Sequence, residues 1–266
     1  MRRVALKVAY IGTDFHGFQR QPDQNTVEGE LISALKEANL IDNLNNNGYT
    51  IAGRTDRGVH ALGNVISFRT DKEVRINYIN DLLPKTIRIL AIAGVPSGFK
   101  PRYAKSRHYR YIIVNGANLD LNKVKNASKL IEGTHDFSNF SKRSERNPVR
   151  TVDSIKISLN DDILIIDVIG ESFLWNMVRK IAASLYMVGS GELELNDVQK
   201  YLIPTNCAEI VPLPPEGLVL LDTKYENVKF VYDEYAKKKF LSILEEEYMN
   251  YWTIAAAEKA MIDFLK

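Results

Sequence analysis

The apolar residues of this chain change period along its length, from two to about 3.6 and back, and they do so twice over. Val4, Leu6, Val8 and Tyr10 alternate with other residues, as in a strand with one buried face. Val27, Leu31, Leu35 and Ala38 then fall at helical spacing behind a capping pair, Asn25 and Glu28, so the pattern predicts a helix over 26–39. Further strands are predicted at 48–52, 64–70 and 87–94, with a short helix at 77–83 closed by Pro84. From Arg107 the alphabet starts again. A strand at 107–115 leads to a helix at 121–132 that Gly133 can end, and 152–159 with 163–169 form a hairpin across Asn160, Asp161 and Asp162. A helix from Leu174 carries Val178, Ile181, Leu185 and Val188 on one side and stops at Gly189; a short helix at 196–202 and a strand at 217–225 follow. Strands with helices that can cover one sheet face make this an α+β chain. From Val231 the composition favours helix, with Met249 to Thr253 predicted as a bend between two helices.

A chain of 266 residues with 45% apolar content buries a proper core, as one large domain or two ordinary ones, so disorder is excluded as the default. No apolar leader follows Met1, Arg2 and Arg3, and no run of about eighteen apolar residues exists, which predicts a soluble, cytoplasmic protein without a membrane partner. The single cysteine, Cys207, excludes an intrachain disulfide and any CxxC pair. His16, His60, His108 and His135 are scattered, with no HExxH; P-loop, GxGxxG and GxSxG motifs are also missing, so neither metal nor cofactor is expected. His60 and His108 are read as structural.

Net charge is +2, but its distribution says more. Residues 226–266 hold six Lys against eight Asp or Glu, a balance of −2, which leaves +4 for residues 1–225. Two stretches concentrate it: Lys100, Arg102, Lys105, Arg107 and Arg110, then Lys142, Arg143, Arg146 and Arg150. Tyr103, Tyr109 and Tyr111 lie among the first, and Phe137 and Phe140 precede the second. Cations for phosphates and flat rings for bases suit an RNA groove, though clusters of this kind also form solvated faces.

The segment most suited to chemistry is Gly53-Arg54-Thr55-Asp56-Arg57-Gly58-Val59-His60-Ala61, in which two glycines bracket one acid and two arginines. Such a loop can hold a carboxylate beside positive charge, and it can equally use Asp56 to accept backbone N–H bonds in a turn. This nonapeptide resembles the signature of the TruA-type tRNA pseudouridine synthases, and four further elements resemble that family in the same order. They are Tyr10 to Gln21 with Thr26-Val27-Glu28, then Arg107-His108-Tyr109-Arg110-Tyr111, Gly133 to Phe140, and Gly170 to Arg179, before Pro214-Pro215-Glu216-Gly217-Leu218 opens the closing strand. The resemblance spans residues 4–225.

The resemblance implies two RRM-like halves with mainly antiparallel sheets joined side by side and helices on one face. Residues 1–100 would form the first, 101–225 the second, and 226–266 a helical extension. It implies that uridine is isomerised to pseudouridine in the tRNA anticodon arm, at positions 38 to 40, by a homodimer. Asp56 matches the nucleophile, Tyr109 a residue at the target base, and Arg179 the arginine that pairs with the aspartate. The same carry-over has Arg54 touch the RNA or order the loop, and Arg20 with Lys142, Arg143 and Arg146 of the second basic stretch are taken as RNA-binding. Taken without the family, Arg179 is a helix-surface arginine and Tyr109 and Tyr111, two apart, are core aromatics. A non-catalytic RNA-binding module is the rival reading, and it leaves the aspartate loop without a purpose. Three features depart from the family pattern: a short connection between Asn115 and Gly133, the extension after Tyr225, and Arg57 where many bacterial relatives carry a small residue.

Overall fold

The computed structural model describes residues 1–141, 147–205 and 209–266. Lys142, Arg143, Arg146 and Cys207 lie outside the described residues. The first half runs β1 (Arg2–Tyr10), α1 (Val27–Glu37), β2 (Thr50–Ile51), β3 (His60–Thr70), α2 (Ile76–Leu82) and β4 (Ile87–Val95). The second runs β5 (Ser106–Val114), α3 (Leu121–Ile131), β6 (Gly133–Asp136), β7 (Val149–Asn160), β8 (Ile163–Gly170), α4 (Met177–Ser190), α5 (Leu195–Tyr201) and β9 (Leu218–Lys224). Then come β10 (Val231–Tyr232) and α6 (Glu234–Leu265). One ten-stranded sheet results, in the order β10-β4-β1-β3-β9-β5-β8-β7-β6, with β2 also on β3. The first half is thus a β-α-β-β-α-β unit with β1 central, and the second elaborates it with an extra strand, β6, and an extra helix, α5, around a central β5. Every pairing is antiparallel except β3 with β9, which joins the halves through His60 with Val219 and Ala61 with Leu220.

Alternation decides which residues face the helices. Val4, Leu6, Val8 and Tyr10 of β1 bury with Val27, Leu31 and Leu35 of α1 and Ile79 of α2. Tyr111, Leu164, Ile166 and Val168 bury with Val124, Ile131, Val178, Ile181 and Leu185 in the second half. Burial of each such side chain contributes about 1.5–3 kcal/mol. Tyr109 packs against both clusters, so it marks the line where the two helical layers meet.

Four local expectations change. The cap of α1 is Thr26, whose Oγ1 accepts from the Gly29 N–H at 3.3 Å, while the Glu28 carboxylate takes the Arg20 N–H at 2.9 Å instead of serving Asn25. Gly189 does not end α4; a Cβ there would lie 2.7 Å from Val124 Cγ2, so this glycine lets α3 approach, and the stop is Gly191 at φ 83°. The C-terminal segment opens with β10, which covers the β4 edge through Val231 with Ile92 and Tyr232 with Ala91. Finally, α6 is one helix of 32 residues without a bend at 249–253. No Pro or Gly interrupts it, and Tyr248 and Trp252 stack one turn apart with centroids 6.4 Å apart, which offsets their modest helix propensity.

Candidate active site

The loop from Gly53 to Val59 leaves the sheet next to the β3–β9 seam and is fixed from below. The Thr55 hydroxyl lies 2.8 Å from the buried Tyr10 hydroxyl, and Asn64 Nδ2 donates to both Tyr10 Oη and the Gly53 carbonyl at 3.2 Å. The Phe18 N–H donates to the Thr55 carbonyl at 3.0 Å. Gly17 makes that approach possible: its φ is +91°, and a Cβ would meet the Thr55 carbonyl oxygen at 3.0 Å and the Arg57 nitrogen at 3.2 Å. Anchored on both sides, the loop presents Asp56 at its crest with its side chain 34% exposed.

The second half supplies the partners. Arg179, near the start of α4, is 13% exposed and sets Nη1 3.5 Å from Asp56 Oδ2. The same Nη1 donates to Asn176 Oδ1 at 2.9 Å, and Nε donates to the Leu213 carbonyl at 2.6 Å, so the guanidinium is oriented by neutral acceptors and has charge left for the carboxylate. Asn176 sits at φ 62°, a left-handed conformation that asparagine tolerates, immediately before the helix. On the other side, the Trp175 indole N–H donates to Asp56 Oδ1 at 2.9 Å. Both carboxylate oxygens are therefore engaged.

Tyr109 projects from β5 into the same cleft, its ring edge-on to Phe173 at 5.3 Å between centroids. Burial pushes its phenol above the ordinary range; Arg107 opposes that and the Asp56 charge adds to it. Tyr109 consequently keeps its proton at neutral pH. The cleft encloses about 1130 Å³, and among the described residues six cations line it: Arg54, Arg57, Lys100, Arg102, Arg150 and Arg179. Asp56 is its only carboxylate among the described residues. A space this rich in positive charge is matched to a polyanion, with one acid placed for another purpose.

The basic stretch at 100–110 divides between different tasks. Lys100 and Arg102 line the cleft, and the exposed Lys105 faces Glu226 at 3.5 Å. Arg107 is buried and donates to the carbonyls of Ala52 and Arg102 at 2.9 Å each and to that of Glu171, stitching together the three segments around the site. Arg110 points to the opposite face, where it grips Asp167 through Nε and Nη2 at 2.9 Å with His108 Nε2 at 2.8 Å from the same carboxylate. Two-residue alternation along β5 separates Arg107 and Tyr109 from His108 and Arg110. Arg20 is tied to Glu28 at 3.5 Å and lies outside the cleft lining, which its neighbours Gln19 and Gln21 join. Arg54 stands exposed on the cleft wall.

His60 accepts the Gly12 N–H on Nδ1 at 3.1 Å, and burial holds its pKa below the ordinary value, a packing role beside the seam. Trp175 is the site residue that residue-level reading missed. It sits in a stretch quoted for its arginine, and its only advance signal was an indole donor next to a helix start. Among the described residues no three His, Cys, Asp or Glu side chains are grouped to hold a metal ion, and no helix is long and apolar enough to cross a membrane.

Comparison with known proteins gives one family. A family model described as tRNA pseudouridine synthase matches residues 7–102 and 127–226. The chain is 51% identical to tRNA pseudouridine synthase A of Methanothermobacter thermautotrophicus over 267 residues, covering 100% of this chain and 97% of that one. It is 46% identical to the protein of the same name from Methanosphaera stadtmanae, with 100% of each covered, and 47% identical to that of Methanobrevibacter smithii, with 100% and 98% covered. These alignments run through the C-terminal helix, so the extension beyond the family model has counterparts in those archaeal relatives.

Proposed function

The chain belongs to the tRNA pseudouridine synthase family, and from that membership we propose that Asp56 is the nucleophile for isomerising uridine in the tRNA anticodon arm, at positions 38 to 40. The observation that carries this reading is a carboxylate that is alone among the described residues of its cleft, ion-paired to Arg179 and surrounded there by six cations. Isomerisation breaks the N1–C1′ bond, turns the uracil and joins C5 to C1′; the C5 proton leaves and N1 gains one. A carboxylate can assist by attacking C6 of the base or C1′ of the ribose. Arg179 keeps that carboxylate charged once the base has driven water out, because opposite charge offsets desolvation.

Tyr109 serves as a flat wall and hydrogen-bond donor beside the base, since a phenol raised above its ordinary pKa is a poor proton acceptor at neutral pH. The target nucleotide must leave its stack, at a cost of a few kcal/mol that is smallest in loops and stem ends, which supports the anticodon arm as its source. Arg54, Lys100, Arg102 and Arg150 then hold the flanking phosphates. A tRNA substrate is also why we read the protein as cytoplasmic.

We also propose a homodimer, joined by α6. Beyond Leu244 this helix runs free for about 30 Å. Its apolar side chains, Tyr248, Met249, Trp252, Ile254, Ile262 and Phe264 among them, are exposed all round the helix, and exposed apolar surface of this extent calls for a partner. Antiparallel pairing with a second copy about Trp252 would set Glu245 against Lys259.

The test is Asp56→Asn, verified free of deamidation. It should bind unmodified tRNA and form no pseudouridine in single-turnover chemical mapping. Turnover at even a tenth of the wild-type rate would refute the nucleophile.

A further inference from the structure

The two oxygens of Asp56 have different surroundings. Oδ2 faces the guanidinium of Arg179, which is 13% exposed and closes that side. Among the described residues Oδ1 has no cation on it, and it accepts from the Trp175 indole nitrogen at 2.9 Å, within the same cleft. An electrophilic carbon must come within about 3–3.5 Å of the attacking oxygen, and the guanidinium leaves it only the Oδ1 side. The indole already occupies that place. We infer that Trp175 is a placeholder for the target base: it holds Oδ1 in the free protein, and the extruded uridine displaces it. The inference rests on Asp56 as the nucleophile.

The setting of Trp175 allows it to move. Its side chain is 52% exposed, whereas Leu174 and Met177 on either side are 6% and 0% exposed. The backbone is therefore pinned, while the indole stands at the surface of the cleft. A resident donor also serves the free protein. The neutral indole orients Oδ1 without neutralising it. Trp175 in this sense acts through Asp56 as a positioning residue.

The chain has two tryptophans, so protein labelled with 5-fluorotryptophan gives two fluorine resonances, and Trp175→Phe assigns one. The probes are an unmodified tRNA transcript with uridine at the mapped target position and the same transcript with an abasic nucleotide there. The Trp175 resonance should shift with the uridine transcript and stay near its free position with the abasic one. A resonance that does not move, or that moves equally with both, overturns the inference. Trp175→Phe supplies the kinetic arm, read as a split between the single-turnover rate at saturating tRNA and the tRNA concentration that gives half of it. The concentration giving half that rate should fall by about three- to tenfold, because a charge-assisted bond no longer has to be broken. A saturating rate lowered tenfold or more would mean that the indole is needed in the reacting complex, and would overturn the placeholder role. The fluorine measurement needs no turnover, so a failed nucleophile and a failed placeholder give different results.

Discussion

Arg179→Ala and Asp56→Asn should both abolish turnover yet differ in stability, and the structure sets the size of the difference. Alanine at 179 removes two hydrogen bonds from a guanidinium that is 13% exposed, to Leu213 O at 2.6 Å and Asn176 Oδ1 at 2.9 Å. Bonds to charged groups contribute about 1.5–3 kcal/mol each, and both acceptors can be partly rehydrated through the space left behind, so the loss is about 2–4 kcal/mol. The ion pair adds little. Asp56 is 34% exposed and 3.5 Å away, a geometry for which about 0.2–1 kcal/mol is usual. Asp56→Asn removes only that small attraction and keeps an oxygen for the Trp175 N–H, so it should cost less than about 1 kcal/mol. At about 2–4 °C per kcal/mol for a chain of this size, Arg179→Ala should melt roughly 4–16 °C below wild type and Asp56→Asn within about 4 °C. Thermal denaturation of the two purified variants beside wild type reads this directly. Equal melting temperatures, or a larger drop for Asp56→Asn, would refute the view that Arg179 is chiefly anchored to neutral acceptors. Arg179→Lys, which keeps the charge without the fork, should fall between them.

Joint replacement of Lys100, Arg102 and Arg150 by Ala should flatten the slope of log K against log salt for tRNA by about 2–3, and an unchanged slope would remove these side chains from the phosphate path. The same titration of a Lys142→Ala, Arg143→Ala, Arg146→Ala triple variant tests the basic loop. His60 is held below its ordinary pKa, so below about pH 6.5 the unfolded chain takes up a proton that the folded one refuses. Stability should therefore decline as pH drops from about 6.5 through the depressed folded value. His60→Asn keeps an acceptor for the Gly12 N–H, and urea titrations of it should show a shallower acid limb; an identical limb would contradict the assignment. Deleting residues 248–266 should yield a monomer by sedimentation, with a melting temperature that no longer rises with protein concentration; a truncated chain that still dimerises would refute α6 as the interface.

Local pattern was enough for the α+β architecture, because period-two and helical spacing report which side of an element is buried whatever lies opposite. Val4 to Tyr10, the α1 positions and the hairpin from β7 to β8 are read that way. The composition of the aspartate loop was equally plain, though only the family resemblance attached chemistry to it. What sequence pattern could not supply was any relation between distant segments. Arg107 and Arg110 look alike in a basic run, and only the packed sheet makes one a buried clamp and the other a surface ion pair. Gly189 has the look of a helix stop until α3 is seen against it. Trp175 and Asp56 are 119 positions apart, and their hydrogen bond exists because the β3–β9 seam brings the crest of one half against the helix start of the other. Periodicity records a residue's distance from the core, whereas a site depends on distances between side chains, and those are set only when the two halves close on each other.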